Sequence, residues 1–98
     1  MVTENAFVLI RPGEEEAFET AMREVGIPGL AACPGVHAAK LGRGVENPGK
    51  FFFIVDWESV DAHNAARDTE AFKAFAAAGS GLARRGRSLA VSGLAASS

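Results

Sequence analysis

His63 is the side chain best suited to move a proton near neutral pH, and its setting is more informative than its identity. It follows Phe51-Phe52-Phe53-Ile54-Val55-Asp56-Trp57, an aromatic run of strand character, and Glu58-Ser59 stands between. Ser59 is a plausible N-cap, so His63 falls near the first turn of a helix and Trp57 at the end of a strand. One strand-to-helix junction thus carries an aromatic ring with an N–H donor and a titratable imidazole. As a general base, His63 would take a proton from a bound hydroxyl. Arg67, four residues on, shares its helical face and would hold a developing oxyanion. The bland alternative is a structural hydrogen bond from His63 back to the strand end near Asp56 or Trp57. A single histidine with no visible partner favours that alternative.

Trp57 would wall a pocket for an aromatic molecule and donate its indole N–H, or simply be core. Phe53 and Val55 share its strand face, which suits a planar ligand and equally suits packing against helices bearing Phe18 and Phe72. Phe72 is the further apolar lining candidate. Asn5, beside the first strand, offers an amide to a carbonyl or to oxygen, although its place near the chain start favours solvation. His37 and Arg43 would lie on one face of a second strand with Ala39 and Leu41 between them, lining an interface or a pocket mouth; both default to structural or exposed roles. Asp56, an acid in an apolar strand, calls for a basic partner. Two histidines 26 residues apart without flanking carboxylates fall short of metal-ligand spacing, so no metal is expected. No glycine-rich loop follows a strand and opens a helix, so Gly42-Arg43-Gly44 and Gly79-Ser80-Gly81 are turn glycines.

The elements that must position these residues follow from periodicity. Ala6–Ile10 is a continuous apolar run stopped by Pro12-Gly13. Ala17, Phe18, Ala21, Met22 and Val25 mark one face of a helix over Glu14–Val25, with three glutamates at its positive end. Gly26, Pro28 and Gly29 are expected to interrupt it, leaving at most a short turn at Leu30–Ala32. Val36–Gly44 reads as a strand. Asn47-Pro48-Gly49-Lys50 reads as a type II turn, with proline second and glycine at the positive-φ third position. Phe51–Trp57 is the central strand, and its apolar character on both faces implies cover on both. Ser59 and Thr69 cap two short helices, Val60 to about Arg67 and Glu70–Ala78, and Phe72, Phe75 and Ala76 form the apolar side of the second. Ser88–Ser92 is a weaker last strand, and Ala95–Ser98 a flexible tail.

The order β-α-β-β-α-β predicts an α+β fold, a ferredoxin-like split βαβ sandwich with an antiparallel sheet and both helices on one side. The bare sheet face then asks for a second copy of the chain. The 98 residues make one domain, spanning 1–98. At 10.2 kDa about 64% of the extended chain's surface is buried on folding. That supports one thin core and makes a homodimer attractive. A net charge of −2 offers no general attraction to nucleic acid or to an anionic membrane. Glu4, Glu14, Glu15, Glu16, Glu19 and Glu24 crowd the first quarter and read as a solvated surface. Arg84, Arg85 and Arg87 read as a solvated loop, with an anion site as the minor alternative. Cys33 is alone, so an internal disulfide is excluded; between Ala32 and Pro34 it reads as a small buried residue. The sequence shows neither a secretion signal nor a long apolar run, which predicts a cytoplasmic protein. Richness in Ala, Gly and Arg suits a GC-rich bacterial genome.

Trp57-Glu58-Ser59 followed by His63, with Arg11-Pro12-Gly13 after an upstream apolar strand, resembles the W-E-S-x-x-x-H pattern of the antibiotic-biosynthesis monooxygenase (ABM) family. The resemblance runs from about Asn5 to Ala78. It implies a dimeric α/β barrel, in which the sheets of two chains pack face to face. It also implies an oxygenase that oxidises a small aromatic polyketide-like substrate or a quinol with O2, without metal or flavin. On that reading His63 is the base, Trp57 the wall, and Arg67 or Asn5 the donors. The chain has no tyrosine, which removes one common donor type. A haem-degrading branch of the superfamily uses a tryptophan and a histidine that fall here at Ala66 and Ala76, so haem is not an expected cofactor. A non-catalytic barrel that binds an apolar metabolite, or a purely structural domain, is the competing expectation.

Overall fold

The computed structural model describes residues 1–82 in full and the backbone of residues 90–96. Four strands, β1 (Val2–Leu9), β2 (Val36–Arg43), β3 (Lys50–Trp57) and β4 (Ala90–Ala96), form one antiparallel sheet in the order β2-β3-β1-β4. Helices α1 (Glu15–Ala21), α2 (Ile27–Ala31), α3 (Val60–Ala66) and α4 (Glu70–Ala78) connect the strands, and α1 and α2 are joined by a π-helical turn over Met22–Gly26. This is the expected ferredoxin-like α+β fold. The last strand lies later than its sequence signal suggested and includes Ala95 and Ala96. Ser88, Leu89, the arginines at 84, 85 and 87, and Ser97–Ser98 lie outside the described residues.

The helical segment does not break at Gly26–Gly29 as its composition implied. The π turn shifts the hydrogen-bond register just before Pro28, whose ring lacks the N–H that an uninterrupted α-helix would use there. Burial then passes through Phe18, Met22, Gly26 and Leu30, and Val25 is left 51% exposed. Gly29 serves helix packing: a Cβ there would sit 3.1 Å from the Ala71 carbonyl oxygen, against α4. Ser59 and Thr69 cap as their sequence positions implied, accepting from the N–H of Ala62 and Phe72 at 3.1 Å each. The Lys50 N–H donates to the Asn47 carbonyl at 3.0 Å, closing the expected turn. Gly49 is not in the positive-φ region, however, so the turn is not type II. Its glycine suits close approach instead, since a Cβ would lie 3.3 Å from the Ile10 carbonyl oxygen.

Strand register sorts the side chains into two faces. Val2, Glu4, Ala6 and Val8 of β1 lie beside Trp57, Val55, Phe53 and Phe51 of β3 and face the helices. Phe18 packs on Phe51 and Phe53 at 4.8 and 6.3 Å between ring centroids, and Phe75 on Phe53 at 5.2 Å. These tilted and edge-on rings fill the centre of the core. Phe75 is the buried aromatic of α4, Phe72 is half-buried beside it at 5.6 Å, and Ala76 is exposed. The opposite sheet face carries Thr3, Asn5 and Phe7 beside Asp56, Ile54 and Phe52. Phe52 and Ile54 are 37% and 43% exposed, and the Lys50 ammonium lies 4.6 and 5.2 Å from the Phe7 and Phe52 rings.

Candidate functional site

The β3–α3 junction brings Trp57 and His63 together, edge to face, with ring centroids 5.4 Å apart. Gly35 helps set the angle at which α3 leaves the sheet. It has φ +86°, its carbonyl accepts from the Glu58 N–H at 2.7 Å, and a Cβ there would reach within 2.6 Å of the Ala62 Cβ. The Ser59 cap then starts the helix, and the His63 backbone N–H donates to the Ser59 carbonyl at 3.2 Å. As a result the imidazole lies over the helix-facing side of the sheet with only 11% of its side chain exposed.

Its carboxylate partner comes from β1. Glu4, counted with the solvated acids on composition, is 8% exposed and lies on the inner face. Oε1 accepts from the Trp57 indole N–H at 2.9 Å, and Oε2 lies 3.4 Å from His63 Nε2. A carboxylate taken out of water needs such partners, and here each oxygen has its own. The other ring nitrogen of His63, Nδ1, is 3.2 Å from Asn64 Oδ1. Glu4 was legible in hindsight: Val2, Glu4, Ala6, Val8 and Ile10 form a period-two inner face with one charged member.

The remaining candidates are placed differently. Phe53 and Val55, 2% and 1% exposed, are packed into the core and present no surface to a ligand. Trp57, at 1%, is likewise buried, so its donor goes to Glu4. Asn5 is exposed and lies on the opposite face of the sheet from Glu4 and His63. Arg67 follows α3 as its C-cap and is exposed; among the described residues it makes no ion pair with His63 or any other group. Asp56 accepts from the Thr3 hydroxyl at 2.8 Å on the outer face and not from a basic group. His37 falls where the β2 register shifts between Val36 and Ala38 and is exposed. Arg43 Nε donates to the Pro48 carbonyl at 2.7 Å, and its Nη1 lies 3.3 Å from Glu19 Oε1. A cavity of about 340 Å³ lies there, lined by Glu19, Arg23, Ile27, Leu41 and Phe51 among others, away from His63. Cys33 is buried, with Sγ 3.9 Å from the Thr69 hydroxyl, and burial pushes its thiol up.

Comparison with known proteins gives the family and the fold. The family model described as antibiotic biosynthesis monooxygenase matches residues 1–78. The chain belongs to that family. It is also 32% identical over 73 residues to the Bacillus subtilis (strain 168) protein YczJ, covering 74% of this chain and 70% of that one. Among solved structures it resembles a putative antibiotic biosynthesis monooxygenase from Bordetella bronchiseptica, with a TM-score of 0.85, 26% identity, and coverage of 99% of this chain and 96% of that one. It also shares its fold with SnoaB, a cofactor-independent oxygenase from Streptomyces nogalater, at a TM-score of 0.76 and 22% identity, covering 98% and 91% of the two chains. In this ABM-family chain, His63, four residues after Ser59, is the histidine beside Glu4 and Trp57.

Proposed function

We propose that this chain is a cofactor-independent monooxygenase that oxidises a small aromatic polyketide-like substrate or a quinol with O2. The observation that carries the reading is a titratable imidazole, only 11% exposed, between an indole and a carboxylate in an ABM-family chain. An electron-rich phenol or anthrone enol is a poor reductant until it loses its proton. Transfer of that proton to His63 breaks the substrate O–H bond and leaves an anion that can reduce O2 directly. For an anthrone-type CH2 the balance closes with one oxygen atom retained as C=O and the other released as water, the substrate supplying the electrons. The protein's part is a base, a water-poor setting and orientation. Phe72, half-buried, and Arg67, exposed after His63, remain the residues proposed to meet the substrate ring and its developing charge. Asn5, on the other sheet face, would meet a substrate only across a two-chain interface.

A homodimer and a cytoplasmic setting belong to the same reading. Phe7, Phe52 and Ile54 make the sheet face away from the helices apolar enough to pack on a second copy. Among the described residues no helix is long and apolar enough to cross a membrane. The filled core at Phe53 and Val55 supports the competing reading, a non-catalytic dimeric barrel.

The test is oxygen consumption by purified, metal-free protein with a panel of anthrones, naphthols and quinols, beside His63→Ala. Uptake should fall at least tenfold in the variant, about 1.4 kcal/mol of transition-state stabilisation. No uptake across the panel would move the weight to ligand binding or structure, and uptake unchanged by the substitution would remove His63 as the base.

A further inference from the structure

We infer that Glu4 is a positioning residue that fixes which nitrogen of His63 carries the proton, so that Nδ1 becomes the working base. The inference rests on the oxygenase reading only for what Nδ1 acts upon; the arrangement itself stands on geometry. Glu4 lies on β1 opposite Val55, one step along the inner face from Trp57. Its carboxylate divides its oxygens between two donors. The indole N–H of Trp57, held in a ring that is 1% exposed, occupies Oε1 and fixes the carboxylate plane. Oε2 then faces His63 Nε2 at 3.4 Å, close enough for an ion pair though not aligned as a hydrogen bond.

A bare Nε2 would set two lone pairs against each other in a water-poor site. The buried Glu4 carboxylate offers only acceptors, whereas the exposed Asn64 amide can turn its NH2 toward a bare Nδ1 in place of the Oδ1 that lies 3.2 Å from it. Glu4 therefore favours the proton on Nε2, and in the neutral ring this leaves Nδ1 as the acceptor. When a substrate hydroxyl gives its proton to Nδ1, the O–H bond breaks, an N–H bond forms and the ring becomes an imidazolium. Both of its N–H groups then have oxygens in place: Glu4 Oε2, now in a charge-assisted pair, and Asn64 Oδ1 at 3.2 Å. The residues facing the ring are thus divided by role, with Trp57 holding Glu4, Glu4 holding His63, and Asn64 at the outward nitrogen.

The tautomer can be read without turnover. In ¹⁵N-labelled wild-type protein, long-range ¹H–¹⁵N spectra of the neutral ring should show His63 protonated at Nε2 and bare at Nδ1, with slow solvent exchange of the Nε2 proton. In Glu4→Gln that proton should move upfield and exchange at least tenfold faster, together with an upfield move of the Trp57 indole N–H. Trp57→Phe, which keeps the Glu4 carboxylate, should retain the Nε2 tautomer. Finding the wild-type proton on Nδ1 overturns the inference, and so does a Glu4→Gln spectrum in which only the indole responds. If Glu4→Gln does not fold, the wild-type and Trp57→Phe spectra still decide. With an active substrate, Glu4→Gln should lower kcat at least tenfold and leave KM within about twofold. The predicted spectra in a protein inactive on the whole panel would uphold the positioning role and count only against the oxygenase reading.

Discussion

Trp57→Phe isolates what the indole N–H contributes to the buried cluster. The substitution keeps an aromatic ring at a site that is 1% exposed and removes the donor that Glu4 Oε1 uses at 2.9 Å. A hydrogen bond to a charged group contributes about 1.5–3 kcal/mol net, and the smaller ring gives up roughly 1 kcal/mol of packing. The expected loss is therefore about 2.5–4 kcal/mol. For a chain of this size that is ~10 °C or more in Tm. Urea or thermal unfolding at fixed protein concentration measures it, the concentration being held because a dimer's stability depends on it. A double-mutant cycle with Glu4→Leu separates the two parts: the double variant should be less destabilised than the sum of the singles by about 1.5–3 kcal/mol. A coupling below ~0.5 kcal/mol would refute the reasoning, because it would mean that water already satisfies the carboxylate.

Gly35→Ala should destabilise the fold by at least ~1–2 kcal/mol, since Gly35 has φ +86° and its added methyl would meet the Ala62 Cβ at 2.6 Å. It should also shift the His63 ring resonances, and unchanged resonances would show that Gly35 does not set the angle of α3. Ile54→Asp puts a charge on the exposed outer sheet face. If that face joins two chains, light scattering should show the variant as a folded monomer at concentrations where wild type is a dimer; an unchanged mass would place the interface elsewhere. The Cys33 thiol is pushed up by burial, so the folded state keeps its proton while the unfolded thiol ionises near pH 8.5. Its contribution to stability is thus fully present below that pH and is lost as pH rises toward the folded-state value. The urea midpoint should fall more steeply between pH 8 and 10 in wild type than in Cys33→Ala, and parallel curves would contradict the assigned cause.

Local signals in the sequence were enough to determine the architecture. A continuous aromatic and apolar run marked β3, hydroxyl side chains at Ser59 and Thr69 marked the starts of α3 and α4, and the order of elements implied the antiparallel sheet that β2-β3-β1-β4 realises. The Trp57–His63 pairing was legible for the same reason, since one junction places both residues. What depended on neighbours distant in sequence was not legible. Glu4 pairs with residues more than fifty positions away, and only strand register turns an acid of the first quarter into the buried partner of Trp57 and His63. Register likewise put Asn5 on the opposite face of the sheet, closed Phe53 behind Phe18 and Phe75, and buried Val55 on the same face. The helix through Gly26–Gly29 continued because α4 packs against it, a tertiary constraint that outweighs the local cost of glycine and proline. Sequence fixes which faces are apolar; which polar groups are trapped between those faces is decided when the strands align.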